Sequence, residues 1–185
     1  MLLHFERDRE KIFASLANQL RKIHSDLCFE FGPAEDKREF VISAGGIKAA
    51  FPAVVSLSDA APPLQRWRVT SFRPRRGMLH TIEFGGKHVD PAEVQFTLLQ
   101  SVSGTEIGLN LFIPGLADDD MALRQIGYLL LDEALGEYDV ESRLGGISML
   151  PPEATAEGIR HPLSELPVLF DGLVARIEGR SAKPN

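Results

Sequence analysis

Apolar positions recur along this chain with two periods, and the places where the period changes mark its elements. From residue 4 to 25, Phe5, Ile12, Leu16, Leu20 and Ile23 recur at helical spacing with charged residues between them, which predicts an amphipathic helix. The period then falls to two. In LCFEF, Leu27, Phe29 and Phe31 share a face; in REFVISA, Phe40, Ile42 and Ala44 do. These read as two strands around the turn-forming loop GPAEDK. Residues 51–60 read as a short helix with Pro52 in its first turn, where a missing N–H is harmless, and with Val54, Val55 and Leu57 inward.

RWRVTSF, 66–72, is the next expected strand, with Trp67 and Val69 on one face and Arg66, Arg68 and Thr70 on the other. LHTIEF and KHVD flank Gly85-Gly86 and predict a hairpin, since a glycine pair supports the primed turns. A second hairpin is expected from Val94, Phe96 and Leu98 against Ile107, Leu109, Leu111 and Ile113, with SVSG between. A helix then starts near Asp118–Asp120, any of which suits a cap, and its core stripe is Leu123, Ile126, Leu130 and Ala134. Gly136 reads as its stop. Beyond it the alternation of Tyr138, Val140 and Leu144 with Glu137, Asp139, Glu141 and Arg143 predicts a half-exposed extended segment. Leu163–Ile177 reads as a last helix, with Ser164 as cap, Pro167 in the first turn and Gly179 as stop. PPEATAEGIRHP is the expected loop before it.

Strands joined by hairpins, with helices at either end of the chain, give an α+β fold: a mostly antiparallel sheet with helices packed on one face. No repeat, low-complexity tract or long linker divides the chain, so residues 1–180 read as a single domain and 181–185 as a frayed tail.

Composition narrows the functional classes. A chain of 185 residues with 44% hydrophobic and 25% charged residues is an ordinary globular protein. The net charge of −6 argues against nucleic acid as the main partner. The lone cysteine, Cys28, excludes an internal disulfide and a thiolate metal cage, and fits a reducing compartment. No secretory start and no apolar run of membrane-spanning length is present, so the expected location is the cytoplasm.

Three constellations offer chemistry. Arg66, Arg68, Arg73, Arg75 and Arg76 form a basic stretch with the aromatic Trp67 and Phe72, suited to a carboxylate-bearing or phosphate-bearing partner. The same arginines can instead neutralise the acid-rich segment 132–141 within the fold, which is the commoner meaning of a charge run. That segment holds Asp132, Glu133, Glu137, Tyr138 and Asp139. Helical winding puts Asp132 opposite the apolar stripe and Glu133 on its flank, both solvated. Their position in a last helical turn, where negative charge is disfavoured by about 0.3–1 kcal/mol, hints at another use. In the hairpin 79–90, a two-residue turn places Glu83 opposite His88 and Thr81 opposite Asp90, so Glu83, His88 and Asp90 share a face. That set is a metal or acid–base candidate; a cross-strand ion pair is the commoner meaning. His80 falls on the other face with Ile82 and Phe84 and reads as a core histidine. No phosphate loop, dinucleotide fingerprint, nucleophile elbow or zinc-protease helix is present, so no cofactor is expected.

The run LLLDEALGEYDVESRLGGISMLP, with the upstream GLNLFIPG, resembles an uncharacterised bacterial domain family of unknown function. Its members carry a similar Leu-Gly-Glu-Tyr-Asp-Val segment and sometimes occur beside ribonuclease E inhibitor-like domains. The resemblance implies an intracellular bacterial α+β protein and supplies no catalytic residues. Three readings follow. The first is a non-enzymatic binding or regulatory domain that uses a sheet face or edge to recognise a protein partner, with a homodimer compatible. The second is a hydrolase using Glu83, His88 and Asp90, or the carboxylates of Asp132, Glu133, Glu137 and Asp139. The third is an acidic module that holds an unfolded segment.

Overall fold

The computed structural model describes residues 9–32, 36–100 and 106–181; Phe5 and the SVSG turn lie outside them. The sequence reads as one domain, whereas the backbone gathers into two compact units, residues 1–73 and 74–185. Each has its own hydrophobic core.

The first unit is a three-stranded sheet under two helices: α1 (Arg9–Arg21), β1 (Cys28–Gly32), β2 (Arg38–Ser43), α2 (Phe51–Asp59) and β3 (Trp67–Ser71). The order is β1-β2-β3. β1 is antiparallel to β2, with Phe31 opposite Phe40. β3 is parallel to β2, because α2 carries the chain back across the sheet before it pairs. The face expected from the alternation, Phe29, Phe40, Ile42 and Val69, packs against Leu20, Val54 and Leu57 of the helices. Two inward positions fail. The α1 helix ends at Arg21, so Ile23 is 54% exposed, and Val55 lies on the outer side of α2. Phe72 has a φ of 62°, a left-handed conformation unusual for a bulky residue. It is held there by its N–H bond to the Ile42 carbonyl (2.8 Å) and by its ring against Phe51.

The second unit contains the hairpin β4 (Ile82–Phe84) and β5 (Lys87–Val89), then β6 (Gln95–Gln100), β7 (Ile107–Phe112), α3 (Met121–Leu135), α4 (Glu137–Arg143), β8 (Leu144–Leu150), β9 (His161–Pro162) and α5 (Leu166–Ser181). The four-stranded sheet runs β8-β7-β6-β9. The β6–β7 register sets Phe96 opposite Leu111 and Leu98 opposite Leu109. β8 returns parallel to β7 after the α3–α4 crossover, with Leu111 opposite Met149. One face of this sheet, Phe96, Leu109, Leu111 and Met149, shares a core with Leu123, Ile126, Leu130 and Ala134 of α3 and Phe170 of α5. The α+β class, the mainly antiparallel pairing and the one-sided helices are all present. On the opposite face Thr97 accepts a hydrogen bond from Asn110 (2.9 Å), and the Arg160 guanidinium lies 3.6 Å above the Phe112 ring. Arg160 also donates to the Pro152 and Ala154 carbonyls, fixing the 151–160 loop.

The sharpest departure from the pattern is α4. Residues 137–143 are helical, not extended, because Glu137 and Val140 are the buried pair and stand three apart. Gly136 separates α3 from α4 at φ 84°, ψ 141°, a conformation that glycine adopts far more readily than other residues. The last helix begins as a 3-10 turn at Leu163–Glu165 without a cap from Ser164, has Pro167 in its first turn, and continues through Gly179 to Ser181.

Candidate functional site

The basic stretch is shared between the two units. Arg66, Arg68 and Arg73 belong to the first, Arg75 and Arg76 to the second. Arg66 and Arg68 are exposed beside the half-buried Trp67, whose ring lies 5.2 Å from that of Phe31. Arg73 forms an ion pair with Glu30 and approaches Cys28 Sγ.

Arg75 is an internal fastening. It makes four hydrogen bonds within its unit: Nε to the Leu135 carbonyl (3.2 Å), two to Asp171 (2.8 and 3.1 Å), and one to Asp139 (3.3 Å). The Asp171 bonds, more than the Asp139 contact, raise its pKa above the ordinary guanidinium value, so it remains charged. Arg143 reaches Glu178 (2.7 Å) and Asp139 (2.8 Å), which raise its pKa in that order. Asp139 therefore lies between two arginines. The Arg76 N–H donates to the Glu133 carbonyl (2.7 Å), and the His80 N–H donates to the Glu133 carboxylate (3.0 Å). The anomalous acid at the end of α3 thus ties segment 76–80 to that helix. His80 is a surface residue, 64% exposed at its side chain, and not a core histidine.

The acidic segment is not a solvated edge. Asp132 and Glu137 are buried, Glu133 is half-buried, and only Tyr138 of the named residues stands well out into solvent. Helical periodicity fixes only the side of α3 that faces the sheet, so it leaves the burial of Asp132 undetermined. Asp132 leaves solvent although it lies opposite that stripe.

The hairpin register sets Glu83 opposite His88 and Phe84 opposite Lys87, as the Gly-Gly turn predicts. Asp90 departs from the proposed triad. Its carboxylate accepts the Ala92 N–H (2.9 Å) and starts a 3-10 turn, because a short acid beside Pro91 satisfies backbone donors close by. Among the described residues no three His, Cys, Asp or Glu side chains are grouped to hold a metal ion.

Two clefts accompany these features. One of about 260 Å³ is walled by Phe96, Leu98, Leu169 and Leu173, with His161 and Arg176 at its polar side. The other, about 450 Å³, lies in the first unit between Phe13, Ala14, Ala17, Leu27 and Phe29 and includes Cys28. The carboxylates of the hydrolase reading line neither cleft.

A further surface is the outer edge of β8, LGGISML. It is an edge strand of seven residues, paired among the described residues only with β7, and it carries no charge. Gly145, Gly146 and Ser148 are exposed. The other edge strands are marked differently. β1 carries Glu30, β3 carries Arg68, β4 and β5 carry Glu83 and Lys87, and β9 is two residues long. Natural sheets usually blunt a long edge with charge, proline, a bulge or a covering segment; β8 has a bulge at Gly145 and Pro151 just past its end, and the five residues between them carry neither charge nor proline. The sequence carries a charge-free window here, Leu144–Leu150, whose second half, Ile147-Ser148-Met149-Leu150, is compatible with a strand while the glycine pair before it is not. Its position at the sheet edge came only with the topology.

The chain matches no family model, and no curated protein or solved structure proved similar to it. Among the described residues no helix is long and apolar enough to cross a membrane.

Proposed function

We propose that this chain is a non-enzymatic binding domain that recognises a protein partner through the open edge of β8. The observation that carries this reading is the charge-free edge itself. An unpaired edge presents a row of backbone N–H and C=O groups, and an extended segment of another chain satisfies them by adding a strand. The arginine and carboxylate clusters give the competing readings less support, because Arg73, Arg75, Arg143, Asp139 and Glu133 are engaged with one another or with near neighbours. Reversing charge at Arg75 would remove structure before it removed a partner contact.

The test is site-specific photo-crosslinking in the full chain. A crosslinking residue at Ser148 is expected to trap a discrete protein adduct, identified by mass spectrometry. The same residue at Val168, which is exposed on α5, is expected to trap little. Equal yields at both positions, or no adduct at Ser148, would overturn the reading.

A further inference from the structure

We infer that the occupant of the β8 edge is a second copy of this chain, paired antiparallel about a two-fold axis at Ser148; this rests on reading β8 as the recognition edge. The ladder-competent stretch is bounded on both sides. At its start the β7–β8 register slips between Ile107 and Gly108, so Gly145 is the extra residue of a bulge. At its end Pro151 has no N–H to offer. Five regular residues remain, Gly146 to Leu150, and Ser148 is their midpoint.

Rotation about Ser148 sets Ile147 opposite Met149, Gly146 opposite Leu150, and Ser148 opposite itself. Each pair falls on one sheet face, as antiparallel pairing requires. Ile147 and Met149 both pack on the core side, Met149 beside Gly127 of α3. On the other side Gly146 has open space where a Cβ would stand, which leaves room for the Leu150 side chain of the second copy. The serine hydroxyls at the axis are donor and acceptor at once and can bond each other. The edge is therefore complementary to its own rotated image, which an isologous interface demands. The two four-stranded sheets join into one of eight strands.

The strength follows from size and charge. Five residues at about 3.3 Å each span about 17 Å, so the contact lies at the small end of specific interfaces and a reversible dimer is expected. Each chain carries −6, and seventeen of its acids but only nine of its bases lie in the second unit. Like charge opposes self-pairing, and salt screens it, so the dimer strengthens as salt rises. A basic heterologous peptide on the same edge would show the opposite trend.

The experiment is sedimentation velocity of the full chain from about 10 to about 500 μM, at low and high salt, a range suited to a dissociation constant in the micromolar region. A monomer–dimer equilibrium that tightens with salt is expected. Ser148→Lys, at an exposed site, is expected to weaken it at least about tenfold with an unchanged circular dichroism spectrum, since it puts like charges across the axis. In a Cys28→Ala background, Ser148→Cys is expected to give a disulfide-linked dimer on mild oxidation. A monomer at every concentration, with no disulfide-linked dimer from the Ser148→Cys variant, overturns the inference, as does a dimer that Ser148→Lys leaves intact. In the first case, a Ser148 photo-adduct with a different protein would leave the recognition edge standing. Absence of any adduct would remove both.

Discussion

Arg75 illustrates how one side chain can resemble a binding residue in sequence and serve as a fastening in the fold. Its planar fork reaches Asp139, Asp171 and the Leu135 carbonyl together, joining the segment after residue 73 to α3, α4 and α5. An ammonium group cannot match that geometry. Arg75→Ala is expected to destabilise the second unit by about 1–3 kcal/mol in urea unfolding, and Arg75→Lys to recover only part of the loss. A change below about 0.5 kcal/mol would show that the bonds are exchanged for water without consequence. Asp132 and Glu137 make the companion point: charged residues expected in solvent are buried, and Asp139 and Glu133 are held by partners from distant parts of the chain.

At the scale of elements, α3 shows how much is set locally. Of the three candidate caps Asp118–Asp120, it is Asp120 that accepts the Leu123 N–H (3.0 Å), and Gly136 closes the helix. That N–H bond, followed by the nearby Lys87 ammonium at 3.3 Å, holds the Asp120 carboxyl below its ordinary pKa of 3.8. A depressed folded-state value means the stabilisation is fully present above 3.8 and is lost as pH falls through the lower folded value. The melting temperature of wild type is therefore expected to fall toward that of Asp120→Asn as pH is lowered from about 7 to about 2.5, because asparagine caps without titrating. A constant gap across that range would remove Asp120 from the acid response. Helix α4 departs from the extended expectation because seven residues support either period. Its signals were present in the early acids Glu137 and Asp139, the late Arg143, and the Asp139–Arg143 spacing of four.

For the whole molecule, each core is closed within its own unit. The single tryptophan, Trp67, lies in the first unit, and both tyrosines, Tyr128 and Tyr138, lie in the second. Leu130→Ala, which empties a fully buried site, is expected to lower the stability seen by tyrosine signals by about 2–5 kcal/mol. The Trp67 fluorescence transition is expected to move much less. Coincident shifts of equal size would show that the units unfold as one.

The local pattern determined most element types, the Gly85–Gly86 hairpin register, an aspartate cap within Asp118–Asp120, the Gly136 stop and the core stripe of α3. Each depends on contacts within a few residues or on one repeating period. The parallel returns of β3 and β8, the partners of Arg75 and Glu133, the burial of Asp132 and the open edge at β8 were decided by tertiary structure. They depend on which distant segments meet, and neither periodicity nor charge count carries that information. The edge is the clearest case: LGGISML has the same local chemistry in a covered strand as in an open one, and only the strand order β8-β7-β6-β9 leaves its outer backbone groups unpaired by another strand among the described residues.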